Sequence, residues 1–577
     1  MDFDLIVRNG TIHDGLGNPP IEADIGIVGG VITEIGKISG RGATEIDARG
    51  LLVTPGFVDI HTHYDGQVTW DNRLTPSSNH GVTTVLMGNC GVGFAPCRPA
   101  QHDLLIKVME GVEDIPGVVM AEGVPWNWET FPQYLDALES RRYDTDIATQ
   151  VPHGPVRIYV MGQRGADREP ATAKDMAQMA AIVAQGIEAG ALGFSTSRTL
   201  VHRTRDGRLA PTITAGEDEL RAIALGMKGI GKGVIQMIDD WADTTAENST
   251  EFAMWRRVVE ASGRPLSFQL AQVDSWPKGK WRCLMDFIEQ ANRDGLRFTP
   301  QVLARPIGLL YGLELSLHPF TTCQSFAGIA GLPLAGRVAA LRDPALRAKL
   351  LAEEADLSVL GVPRSRMPEK MYVLGDPPNY TPSAAESVAV QASARGVSAL
   401  EHAYDLLLQR DGQEILYFPI ANYFDYNNDI GTLLIHSEYA VLGVSDGGAH
   451  VGSICDASAP TYMLTHWTRD KEGERLPLAK VVRMLSHDTA AAVGLNDRGV
   501  LRPGFKADLN IIDYGRLQLG APRPVFDLPA GGRRLVQSAD GFVATIVSGV
   551  VTYRNGQATG VLPGKLVRGT KKPQMMN

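Results

Sequence analysis

The sequence predicts an α/β protein, a (β/α)8 TIM-type barrel with a small β-sandwich domain built from both termini. Three observations lead there. Strand-like and helix-like runs alternate over about 400 residues, which requires a parallel sheet. Roughly eight such units point to a closed barrel rather than an open sheet. The same β-branched, glycine-punctuated texture appears at both ends of the 577-residue chain.

The elements follow in order. Asp4–Arg8 precedes the hairpin dipeptide Asn9-Gly10; Asp24–Val28 leads through Gly29-Gly30 into Val31–Ile35. Alternating β-branched runs broken by glycine indicate antiparallel strands over residues 1–54. That texture returns in Lys506–Asp513 and Ala544–Thr552, so residues 495–555 are expected to complete the sandwich, with 556–577 as a tail. Residues 55–494 are expected to form the barrel. Its strand-like runs are Leu51–Val53, Thr83–Met87, Asp146–Val151, Ala191–Ser195, Gly233–Met237, Pro265–Gln269, Arg297–Val302 and Ala440–Val444. Ala173–Glu188, with apolar residues three and four apart, reads as one of the intervening helices. Residues 307–430, rich in helix formers, Pro and aromatics, read as a long insertion before the last strand.

Composition narrows the function classes. Apolar residues make up 44% and charged residues 21%, a globular balance that excludes disorder as the main state. The net charge of −10 argues against nucleic-acid and anionic-membrane binding. No run approaches the roughly 18 apolar residues that span a bilayer. The N-terminal segment Met1–Val7 lacks the basic region and apolar core of a secretory signal. Five cysteines imply no disulfide framework, so the cytoplasm is the expected location. A small-molecule substrate is the expected partner; composition leaves homo-oligomer formation open.

The chemistry concentrates in Pro55-Gly56-Phe57-Val58-Asp59-Ile60-His61-Thr62-His63. A strand places His61 and His63 on one face, where both imidazoles can reach one metal ion. A bare His-x-His is often only a pair of satisfied polar residues; here the context decides. Together with Gly499–Asp513, this stretch resembles the amidohydrolase superfamily over nearly the whole chain. Within it, the chain is similar to the N-acyl-D-amino-acid deacylases. Gly88-Asn89-Cys90-Gly91 matches the place of that group's cysteine metal ligand, and Ser445-Asp446-Gly447 that of its eighth-strand aspartate. His153–Arg157 resembles the third-strand region and Gly190–Thr196 the fourth.

The resemblance implies one divalent metal, zinc, held by His61, His63, Cys90 and Asp446. It implies hydrolysis of a C–N amide bond in an N-acyl amino acid, the D form included, or in a related small amide, by metal-activated water with Asp446 as catalytic proton shuttle. His153, Arg198, Arg305 and His450 are the candidate substrate-binding residues, the arginines because a guanidinium fork suits a carboxylate. His202 and His436 are expected to face solvent. The chain also departs from the group. The histidines expected after the fifth and sixth strands are missing from Gly233–Asp240 and Pro265–Val273, as are a sixth-strand lysine, an eighth-strand arginine and a fourth-strand tyrosine. The alternatives are a non-catalytic scaffold derived from a hydrolase, or a lyase or decarboxylase on the same barrel.

Overall fold

In the computed structural model the described residues are 2–569, apart from 274, 275, 278, 304, 360, 361, 424 and 425. Side chains at 429, 430 and 433 are also outside the description, and so is the end of the tail, 570–577.

The first five strands are β1 (Phe3–Ile12), β2 (Ile21–Val28), β3 (Val31–Gly36), β4 (Gly42–Asp47) and β5 (Leu52–Pro55). They alternate apolar and polar residues, so one side of the sheet can be buried. Leu5, Val7, Ile25, Ile27, Ile32 and Val53 pack with Leu509, Ile511 and Ile546 from the far end of the chain. The C-terminal contributors are β18 (Leu509–Ile512), β23 (Phe542–Val547), β24 (Val550–Arg554) and β25 (Gln557–Ala558). All nine strands pair into one sheet, in which β5 joins β1 in parallel and β18 antiparallel. Between β18 and β23, β19 (Gln518–Leu519) pairs with β22 (Ala539–Asp540), and β20 (Arg523–Leu528) with β21 (Gly532–Val536).

Parallel strands occupy the middle: β6 (Phe57–Asp59), β7 (Val82–Met87), β8 (Asp146–Thr149), β9 (Val151–Pro152), β10 (Gly193–Arg198), β11 (Val234–Asp239), β12 (Leu266–Gln269), β13 (Phe298–Val302) and β17 (Val441–Leu442). Pairing runs β6-β7-β8 and β9-β10-β11-β12-β13-β17. β8 and β9 are one course interrupted at Gln150, whose N–H still donates to Met87 O at 3.0 Å. An isolated parallel bridge joins Thr62, just after β6, to Gly447, just after β17, with His63 N–H donating to Gly447 O at 2.8 Å. Helices connect the strands. Ala173–Ala189, for example, starts at a Thr172–Asp175 capping box and buries Met179, Val183 and Ile187.

Residues 307–430 lie between β13 and β17. β14 (Ile307–Tyr311), β15 (Tyr372–Val373) and β16 (Leu416–Ala421) form an antiparallel sheet, and Tyr311, Phe320, Leu350, Leu407 and Phe418 supply a separate apolar core.

One expectation needs correction. Leu51–Val53 belongs to the terminal sheet as β5, not to the parallel set, whose first strand is β6. Pro55-Gly56 divides them: Gly56 packs so closely on Thr83 that a Cβ would lie 2.1 Å from its Oγ1. The described part of the tail pairs with the rest of the chain. Gln557–Ala558 is a strand of the terminal sheet, and Gly564 and Leu566 bridge to Tyr143 and Ile147.

Candidate metal centre

His61 and His63 follow β6, Cys90 follows β7, and Asp446 follows β17, so all four stand at the carboxyl ends of parallel strands. Ligands of parallel α/β sheets gather at that end of the strands. His61 Nε2 lies 3.3 Å from Cys90 Sγ and 3.4 Å from Asp446 Oδ1; His63 Nε2 lies 3.7 Å from the same oxygen. Donor atoms of His61, His63 and Cys90 all fall within 4.8 Å of one another. Around a tetrahedral ion with ligand bonds of about 2.0–2.3 Å, neighbouring donors stand about 3.3–3.8 Å apart. The His61–Cys90, His61–Asp446 and His63–Asp446 spacings fall in that range, and the mixed N, S and O donor set suits zinc.

Local backbone explains how the side chains get there. Cys90, Asp446 and His450 have φ of +53°, +49° and +46°, and the β-branched Val444 has +62°. Left-handed backbone at non-glycine residues costs energy and clusters at functional sites. The turn holding Cys90 is pressed against the third and fourth courses. A Cβ on Gly88 would lie 2.5 Å from Gln150 O, and one on Gly91 2.9 Å from Thr196 Cα.

Behind the donors stand residues that sequence reasoning missed. Gln301 on β13 accepts from His61 Nδ1–H at 2.6 Å and donates to Ser267 Oγ at 2.9 Å. With Nδ1 as donor, Nε2 keeps its lone pair for a ligand role. Gln236 on β11, in the segment where a histidine was expected, accepts the Cys90 N–H at 2.7 Å. Glu113, the last residue of the helix His102–Glu113, puts Oε1 3.2 Å from His63 Nδ1. Asp59 accepts from Ser445 Oγ at 2.5 Å and from the His61 N–H at 3.2 Å. A legible signal existed for two of these: Gln236 and Gln301 are amides inside otherwise apolar runs on strands that parallel packing buries.

The electrostatics favour a cation. Burial pushes the Cys90 thiol and the Glu113 carboxyl well above their ordinary ranges, and the Asp446 charge adds to both. Burial raises Asp59 and Asp65 to about 7. It also drives His63 well below the usual histidine value, with His61 contributing. A divalent ion reverses this logic for every acid in the set, since its charge stabilises thiolate and carboxylate. Two buried atoms, His63 Nδ1 and Glu113 Oε2, also lack hydrogen-bond partners. The residues present fit a metal.

The remaining candidates behave differently. His153 is fully buried, with Nδ1 2.8 Å from Thr196 Oγ1 and Nε2 2.8 Å from Glu219 Oε1, so both ring nitrogens are engaged. Arg198 is no open clamp. Glu251 grips it with both oxygens, and it also donates to Ala215 O at 2.6 Å. Arg305 is buried and stacks 3.8 Å from the Tyr380 ring centroid, paired with Asp456, although its Nε and Nη1 have no partner. His450 is partly exposed, its Nε2 4.0 Å from Glu113 Oε2. His436 is exposed as expected, but His202 is buried against Ser197 Oγ at 2.8 Å. Burial, with His450 and His61 nearby, lowers its pKa to about 3.

The amidohydrolase family profile matches residues 44–553. The chain belongs to that family. It is 36% identical to D-aminoacylase of Alcaligenes xylosoxydans xylosoxydans over 198 residues, 34% of this chain and 37% of that protein. An uncharacterized protein of Mycobacterium tuberculosis (strain ATCC 25618 / H37Rv) is 27% identical over 596 residues, covering 97% of this chain and 93% of its own length. A crystal structure of D-aminoacylase superposes with a TM-score of 0.65 at 21% identity, covering 98% of this chain and 100% of that one. The N-acyl-D-glutamate deacylase of Bordetella bronchiseptica, complexed with zinc and a phosphonate inhibitor, gives 0.65 at 20% identity, with the same coverage. Another D-aminoacylase structure, with the same score, identity and coverage, describes a binuclear metal centre with one-metal activation and second-metal attenuation. The family match and the sequence likeness to D-aminoacylase place this amidohydrolase on the D-aminoacylase-like branch, as a hydrolase of C–N bonds other than peptide bonds. Among its described residues, no helix is long and apolar enough to cross a membrane.

Proposed function

We propose that this amidohydrolase is a one-metal hydrolase of the amide bond in N-acyl amino acids. On this reading the parallel courses close as a (β/α)8 barrel over residues 55–494, and residues 1–54 and 495–555 build the small β domain. One observation carries the proposal: the donor atoms of His61, His63 and Cys90 lie within 4.8 Å of one another at the carboxyl ends of the strands, with Asp446 Oδ1 3.4 Å from His61 Nε2 and 3.7 Å from His63 Nε2. These four would hold the ion. A bound divalent cation supplies Lewis acidity toward water and the amide carbonyl.

The chain's own residues supply the rest. Asp446 Oδ1 faces both histidines, and its side chain keeps some access to solvent, so it is placed to take a proton from water and return it to the departing nitrogen. Gln301 and Gln236 hold His61 and the Cys90 turn in register. Gln236 spends its carbonyl on the Cys90 backbone, and the fifth and sixth strand ends carry no histidine, which supports one ion rather than two. A D-aminoacylase activated by one metal is a precedent on the same fold.

The test is amine release from a panel of N-acyl D- and L-amino acids by zinc-loaded protein, with Asp446→Asn in parallel. Turnover on at least one N-acyl amino acid, lost in the variant, is expected. Silence across the panel from protein that demonstrably holds zinc would move the assignment to another amide or another reaction.

A further inference from the structure

Glu113 has no part in the reaction just described, yet its position is costly. Its carboxylate is 1% exposed, and it ends a helix whose dipole disfavours an acid there. The helix end is fastened on both sides. The Glu113 carbonyl accepts the His450 N–H at 2.5 Å, and the next residue, Asp114, accepts from Ser316 Oγ at 2.8 Å and Ser453 Oγ at 3.1 Å. The side chain is thereby delivered between two histidines, with Oε1 3.2 Å from His63 Nδ1 and Oε2 4.0 Å from His450 Nε2. His63 Nδ1 forms no aligned hydrogen bond in its present orientation, so Glu113 Oε1 is the acceptor within reach.

We propose that Glu113 is the positioning residue of His63: its carboxylate takes the Nδ1–H and so keeps the Nε2 lone pair turned toward His61, Cys90 and Asp446. The inference rests on the metal reading above. It makes the two histidines unequal, because His61 is backed by the neutral amide of Gln301 and His63 by an anion. A carboxylate behind a ligating imidazole raises its basicity and fixes its ring, and losing such a partner typically weakens metal binding 10–100-fold.

The test is zinc titration of metal-stripped wild type, Glu113→Gln and Glu113→Leu against a chromophoric chelator. Wild type should bind one equivalent. Glu113→Leu should bind about 10–100-fold more weakly, and Glu113→Gln, which keeps an acceptor but no charge, should fall between them. The visible spectrum of the cobalt-loaded leucine variant should change as well. Equal affinity of Glu113→Leu and wild type would overturn the inference and leave the metal site standing. If the leucine variant is insoluble, equal affinity of Glu113→Gln and wild type would overturn it instead. A wild type that binds no zinc would overturn the reading beneath it.

Discussion

Gly443 tests the support of His61 without touching any donor. It follows β17 and packs against Gln301, where a Cβ would lie 2.8 Å from Oε1 and 3.0 Å from the glutamine Cβ. Ordinary contact begins at 3.4 Å, so Gly443→Ala asks Oε1 to retreat by 0.6 Å, from 2.8 to 3.4 Å. The hydrogen bond to His61 Nδ1 is 2.6 Å, and a 0.6 Å retreat along it gives 3.2 Å. That is about the outer limit of a useful N–H···O bond. The expected loss of zinc affinity is about tenfold, or ~1.4 kcal/mol, alongside an overpacking cost of about 1–3 kcal/mol in stability. Gln301→Leu, which removes the acceptor outright, should lose closer to 100-fold. Because both changes act through one bond, the double variant should bind zinc no more weakly than Gln301→Leu alone. Chelator competition measures all three. Wild-type affinity in Gly443→Ala, or fully additive losses in the double variant, would refute the chain from Gly443 through Gln301 to His61.

Three further outcomes follow from the same physics. Asp446→Asn should lower kcat by about 10²–10⁴-fold while the circular dichroism of the folded protein is unchanged; retained turnover would remove Asp446 as the proton carrier. His318 accepts the Phe320 N–H on Nδ1 at 3.2 Å, and burial lowers its pKa to about 3. The unfolded chain therefore binds the extra proton first, and the stability His318 contributes is complete above about pH 6.5 and lost as pH falls toward 3, at ~1.4 kcal/mol per unit. In urea melts between pH 6 and 4.5, His318→Asn should flatten that dependence by ~2 kcal/mol, and parallel slopes would contradict the assignment. At the opposite end of the strands, buried Arg498 pairs with Asp146 at 2.7 Å and donates to Thr84 Oγ1 at 3.0 Å. Arg498→Met should cost about 3 kcal/mol or more, because it strips a buried carboxylate of a partner; a variant as stable as wild type would show that Lys506, 3.2 Å from Asp146, suffices alone.

Much of the architecture was legible because parallel strands and their helices leave a local record. Seven of the eight strand-like runs correspond to courses β7 to β17, and the shared texture of Ile25–Val28 and Ala544–Val547 foretold a sheet joining the termini. Leu51–Val53 misled because an apolar run beside Pro55-Gly56 looks the same whether it pairs with β1 or with a barrel strand. His61 and His63 entered the candidate set through their spacing on a strand, and Cys90 and Asp446 through the family resemblance; in the structure all four stand just after parallel strands. Glu113 was not legible: it reaches His63 from a helix in the long segment between β7 and β8, a contact only tertiary structure creates. His202 was misread for a related reason. Its neighbours Arg203, Thr204 and Arg205 suggest a solvated loop, yet the turn folds its imidazole inward onto Ser197. The arginines illustrate the converse, since a sequence shows a guanidinium but not the Glu251 or Asp456 that has already engaged it.

The central claim, one catalytic ion on four convergent donors, meets its most direct test in the metal content of purified protein. The measurement is made after expression with zinc, iron or manganese supplied, beside His61→Ala, His63→Ala and Cys90→Ala. The account predicts about one equivalent of a divalent metal in the wild type and a marked loss in each variant. Less than about a tenth of an equivalent in the wild type, or metal retained in full by all three variants, would contradict it.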